Sequence, residues 1–182
     1  MFFLPGVGST DPDYFASRLF AEILGGGMSS RLFQEAREKL GLAYAIDAFA
    51  ESYQDTGLIG VYAGCAGKDA GALAKVAAEQ ILSMTSDVTD SELDRAKAQL
   101  KASLFMARES LSARAEQAAA QLLVFGRLLI PEEIAAAIDA VSAADVQRLG
   151  ARLLAPKLSA PAVLGPSRAL KAADGFNRAL FG

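Results

Sequence analysis

The sequence predicts an α+β fold in which an antiparallel sheet is covered on one face by helices. Three observations lead there. Apolar residues recur at helical spacing over most of the chain, the period shortens to two between Tyr44 and Ala66, and Gln54-Asp55-Thr56-Gly57 divides that stretch as a turn. With 182 residues, 52% of them hydrophobic and 21% charged, the chain can bury one sizeable core.

Met1-Phe2-Phe3-Leu4-Pro5 has no basic leader and reads as the end of a β-strand whose beginning is absent. Asp11-Pro12 then signals a helix, because Asp caps free amides and Pro tolerates the first helical position. Phe15, Leu19 and Ile23 give that helix a buried face, and Gly25-Gly26-Gly27 ends it. Ser29 or Ser30 can cap a second helix through Leu32, Phe33 and Ala36, with Gly41 as its left-handed terminator.

Beyond Gly41, Tyr44, Ile46, Ala48 and Ala50 share one strand face, and Ala45, Asp47, Phe49 and Glu51 share the other. Leu58 to Ala66 returns as the second strand of a hairpin. Gly60 and Gly64 fall on one face of it, leaving room for another backbone or a helix to approach. Lys68 to Met84 reads as an Ala-rich helix, and Thr89-Asp90-Ser91-Glu92 is a capping box for the next. Further helices are expected over Ser112 to Phe125, from Pro131, and after Ser142-Ala143-Ala144-Asp145. Leu158 to Leu164 reads as a short final strand, and the last residues as a loosely docked helix.

Composition excludes several chemistries. There is no histidine and only one cysteine, so this chain holds no His-based zinc site, no Ser-His-Asp triad and no internal disulfide. A net charge of −3 gives no electrostatic footprint for nucleic acid, and no apolar run reaches the roughly 18–20 residues of a membrane span.

The remaining candidates each have a plain structural alternative. Gly25 to Ser30 offers free amides of the kind that cradle phosphate, but a helix precedes the glycines and no Lys follows them, so a helix-to-helix turn is favoured. Arg37 falls in the last turn of a helix, where the dipole favours a cation, and Tyr44 opens a strand, where aromatics pack. Both flank the Gly41 turn, which brings them to the same end of the sheet. Cys65 lies on an apolar strand face and reads as a small hydrophobe. Asp47 with Glu51 reads as the solvated side of the hairpin, Asp90, Glu92 and Asp94 as first-turn acids, and Arg95, Lys97, Lys101 and Arg108 as an exposed helix face.

The segment Leu24-Gly25-Gly26-Gly27-Met28-Ser29-Ser30-Arg31-Leu32-Phe33-Gln34-Glu35-Ala36-Arg37-Glu38-Lys39-Leu40-Gly41-Leu42-Ala43-Tyr44 resembles a signature of the pitrilysin and mitochondrial processing peptidase family of zinc metallopeptidases. The signature is that of the second, non-zinc-binding homologous domain. The similarity continues through Tyr53-Gln54-Asp55-Thr56-Gly57, Val88-Thr89-Asp90-Ser91-Glu92-Leu93 with Ala96-Lys97, and Ile130-Pro131-Glu132-Glu133-Ile134, so it covers Pro5 to Pro166.

The resemblance implies a fold similar to the metallohydrolase domain of mitochondrial processing peptidase, with residues 1–166 as the C-terminal peptidase-family domain and 167–182 as a tail. It implies that zinc belongs to a homologous domain of the parent or of a partner, which carries His-x-x-Glu-His, and that this chain carries no cofactor. The expected partners are an N-terminal homologous domain or a partner subunit and unfolded peptide substrate, with no nucleic acid and no membrane. Apolar surface left open on a single domain makes a homodimer the further expectation. By the family pattern Arg37 binds substrate, and Tyr44 is a catalytic hydrogen-bond donor to the substrate carbonyl oxygen. The alternative is a non-catalytic scaffold subunit of the same fold.

Overall fold

The computed structural model describes residues 1–182. Its elements are β1 (Phe2–Gly6), α1 (Tyr14–Gly25), a π-helical segment (Phe33–Lys39), β2 (Ala45–Ser52), β3 (Gly57–Gly64), α2 (Ala70–Ser83), α3 (Asp90–Ala107), α4 (Leu111–Phe125), α5 (Pro131–Ala140), α6 (Ala143–Leu154), β4 (Ala160–Pro161), α7 (Ser167–Leu170) and α8 (Ala172–Phe181). The strands form one antiparallel sheet in the order β2-β3-β1-β4. Alternation sets its two faces. Phe2, Leu4, Ile46, Ala48, Ile59 and Val61 are buried toward the helices, while Asp47, Glu51 and Tyr62 stand in solvent on the open face.

The hairpin and most helix starts form where local chemistry places them. Ser52 pairs with Gly57, and Tyr53 N–H donates to Thr56 O at 2.8 Å to close the turn. Thr89 with Glu92 and Ser142 with Asp145 are complete capping boxes, Pro131 opens α5, and Gly126 ends α4 in the left-handed region at φ 68°. Ser142 hydrogen bonds and Arg148 hold the Asp145 carboxyl down at about 2.

Several expectations change. The first helix begins at Tyr14, not at Asp11-Pro12: Asp11 Oδ1 accepts from the Asp13 amide at 2.9 Å in a turn ahead of the helix, while Arg152 of α6 lies 2.7 Å from Asp11 and 2.8 Å from Asp13, and Arg148 lies 2.7 Å from Asp13. The second helix widens into a π-helical turn, marked by Leu40 N–H reaching Glu35 O five residues back at 3.2 Å. Gly41, at φ 59°, still terminates it. Ser30 does not cap this helix with its side chain; its Oγ donates back to Gly27 O at 2.6 Å.

The expected strand from Leu158 to Leu164 shrinks to Ala160–Pro161, since Pro161 has no amide for a longer ladder. Finally, the segment after Pro166 is not loosely docked. α8 packs on α2, and fully buried Phe176 stacks on Phe2 with ring centroids 4.2 Å apart.

Lys97 and Lys101, expected on a solvated face, reach α5: Lys97 Nζ donates to Asp139 O at 2.9 Å, and Lys101 pairs with the Asp139 carboxylate at 2.7 Å. No helix is long and apolar enough to cross a membrane. The apolar surface that stays open runs along α4, where Leu111 and Leu123 are more than four-fifths exposed.

Candidate functional site

The chain enters β2 through a short connection built on the π-helical segment and Gly41. Arg31, just ahead of that segment, is its anchor. Its guanidinium bonds both oxygens of Glu92 at 2.7 and 2.8 Å, Asp87 Oδ1 at 2.6 Å, Asp87 O at 3.0 Å and Ser83 Oγ at 2.7 Å. Arg31 therefore ties the connection to the end of α2 and the start of α3. Burial alone would raise the Glu92 pKa, but Arg31 and the Thr89 amide and hydroxyl outweigh it and hold the carboxyl at about 2.

Arg37 and Tyr44 both open to solvent on this anchored connection. The Arg37 guanidinium carbon lies 4.7 Å from the centroid of the Phe33 ring, and Glu38 approaches it only to 4.0 Å. Its charge is thus oriented by an aromatic face and not neutralised by a close carboxylate.

Tyr44 is 71% exposed and precedes the first residue of β2. Its N–H donates to Gly64 O at 3.0 Å, and its phenol ring lies over Gly64. That ring is on the open side of the sheet, not on the Ile46 face where strict alternation would put it. The room left by Gly60 and Gly64 is filled by the rings of Phe49 and Tyr44, not by another backbone or helix.

The other candidates carry less. The Glu22 carboxylate folds against Gly26, so the Gly25 to Ser30 loop presents an acid where a phosphate would need free amides. Burial raises the Glu22 pKa. Burial also pushes the Cys65 thiol up, with Asp69 adding to it, the reverse of what a nucleophile needs. Asp47 and Glu51 are exposed and form no ion pair. No group of three His, Cys, Asp or Glu side chains is placed to hold a metal, and with no histidine the donor set does not fit a catalytic zinc.

A family model described as the peptidase M16 inactive domain matches residues 1–100. The chain belongs to the peptidase M16 inactive-domain family. Similar proteins include an uncharacterised zinc protease of Rickettsia felis, 37% identical over 153 residues that make up 84% of this chain and 37% of that protein. A probable mitochondrial-processing peptidase subunit beta of Arabidopsis thaliana is 31% identical over 181 residues, covering 95% of this chain and 34% of its own length. Among solved structures, a chain of complex III from Candida albicans shares the fold at a TM-score of 0.75 and 22% identity, over 83% of this chain and 38% of that one. The chain thus spans about a third of the length of these M16 relatives.

Arg37 and Tyr44 are candidates from the sequence, and the structure adds the groups that hold them. Phe33 stands four residues before Arg37, the spacing of side chains stacked on a helix face, which was the available signal. Nothing local in the sequence announced that Tyr44 would turn onto Gly64.

Proposed function

We propose that this M16 domain is the non-zinc-binding half of a processing-peptidase-like zinc metalloendopeptidase, completing its chamber and contacting unfolded peptide, and that it is inactive alone. The observation that carries the reading is the pair Arg37 and Tyr44, solvent-open on a connection that Arg31 anchors, in a chain whose family is a peptidase family and which has no histidine for a catalytic zinc. The open apolar face of α4 supports a neighbour that covers it, an N-terminal homologous domain, a partner subunit or a second copy.

The chemistry assigned to this chain is modest. Arg37 donates to substrate backbone carbonyls, holding an extended peptide in place. The Tyr44 hydroxyl donates a hydrogen bond to the scissile carbonyl oxygen as negative charge develops there. The Lewis-acid chemistry of the intact peptidase would come from zinc held by the histidine-bearing homologous domain.

The test is reconstitution with that homologous domain and cleavage of an unfolded reporter peptide. The assembled protein should cleave it in a chelator-sensitive way and the isolated chain should not. Tyr44→Phe in the assembly should lower kcat about 100-fold with little change in KM, by analogy with loss of one oxyanion donor. Metal-dependent cleavage by the isolated chain would overturn the reading, and an assembly with no cleavage would favour the scaffold role.

A further inference from the structure

We infer that Gly64 is a positioning residue for the Tyr44 hydroxyl, the absence of its side chain being what seats the phenol; this rests on the role proposed above for Tyr44. A Cβ built on Gly64 would stand 2.6 Å from Tyr44 Cζ, 2.7 Å from Cε2 and 2.7 Å from Oη. The collision is therefore with the outer end of the ring, at the atom assigned to chemistry. Restoring an ordinary contact of 3.4 Å from 2.7 Å moves the hydroxyl by about 0.7 Å.

The backbone of Tyr44 cannot follow freely, because its N–H is bonded to the carbonyl of Gly64 itself at 3.0 Å. Any adjustment falls on the Tyr44 side chain. Gly64 supplies both the peptide oxygen that fixes the start of Tyr44 and the empty space that fixes its end. An exposed tyrosine thereby acquires a defined orientation without being buried, lying on the sheet with the hydroxyl still open to a substrate.

No backbone requirement explains the glycine. The positive-φ glycines are Gly41, Gly126 and Gly182, so Gly64 adopts a conformation open to alanine. Within a strand, alanine for glycine usually holds or raises stability. A glycine kept only for folding would therefore show its loss in melting temperature, whereas a glycine kept for the phenol shows it in turnover.

The experiment is a double-mutant cycle in the assembled peptidase with Gly64→Ala, Tyr44→Phe and the double variant, accompanied by melting curves and NMR of the 182-residue chain. The Gly64 α-protons should show an upfield ring-current shift that Tyr44→Ala abolishes. Gly64→Ala should leave the melting temperature unchanged or higher and lower kcat at least tenfold with KM nearly constant. In the Tyr44→Phe background it should cost less than twofold more, since the positioned atom is already gone. Loss of turnover in Tyr44→Phe with full turnover in Gly64→Ala overturns the positioning role alone. Full turnover in Tyr44→Phe overturns the role of Tyr44 and this inference with it. An additive cycle, or a melting temperature that falls in step with kcat, assigns Gly64 to folding and also refutes it.

Discussion

Neutralising Glu92 is the sharpest test of how the site connection is held. Its carboxylate receives Arg31 Nε and a second guanidinium nitrogen, the Thr89 amide at 3.0 Å and the Thr89 hydroxyl at 2.8 Å. In Glu92→Gln the shape survives, but one of the oxygens facing Arg31 becomes an NH2 that cannot accept. The carboxyl falls from 4.5 in its unperturbed state to about 2 in the folded chain. That difference corresponds to about 3 kcal/mol if fully expressed, and solvent screening at a side chain that is 19% exposed reduces it to about 2 kcal/mol.

For a domain of this size about 2 kcal/mol lowers Tm by roughly 4–8 °C at pH 7. The sign with pH follows from linkage. A group whose pKa is depressed on folding stabilises the native state above 4.5, and the contribution is lost as pH falls toward 2. Melting curves of the parent and Glu92→Gln, followed by circular dichroism from pH 7 to pH 2, should therefore converge over that window. Asp145, also held at about 2, is present in both and cancels in the difference. Two curves that remain parallel from pH 5 to pH 2 would refute the assignment of this stability to the Glu92 charge.

Phe176→Ala should cost about 3–5 kcal/mol, because the side chain is fully buried against Phe2. A chemical-denaturation midpoint that hardly moves would mean the last helix is not part of the cooperative core. Gly25→Ala should destabilise by about 1–3 kcal/mol, since its Cβ would run into the Ala48 backbone nitrogen and Cβ. Gly27→Ala, where nothing lies within 4 Å, should be nearly silent in the same assay, and equal effects would disprove the packing explanation. Phe33→Leu should raise KM about two- to fivefold at constant kcat by loosening Arg37, and no effect in an Arg37→Ala background is required for that reading.

What could be read from the residues and what could not divide along physical lines. Local chemistry sufficed for the hairpin turn, the capping boxes at Thr89 and Ser142, Pro131 and Gly41, because each is settled within four or five residues. Asp11-Pro12 forms a turn one step ahead of α1, with Asp11 Oδ1 accepting the Asp13 amide, and the arginines that pair with Asp11 and Asp13 lie some 140 residues away, outside any local window. The π-helical turn escaped for a related reason: one extra residue per turn leaves composition unchanged and shows only in the hydrogen bonds. Family resemblance proposes Arg37 and Tyr44, whereas the relation of Gly64 to Tyr44 depends on the ring lying over it, a contact across the hairpin that no local pattern carries.

The union of Phe2 with Phe176 has a consequence for the order of folding. β1 is an interior strand of the sheet, held on one side by β3 and on the other by β4, and its Phe2 is covered by the last helix. During synthesis this strand must wait until the far end of the domain emerges before its exposed flank and aromatic face are covered. Until then the nascent chain presents an open strand edge and an unburied phenylalanine, the features through which partly folded chains associate.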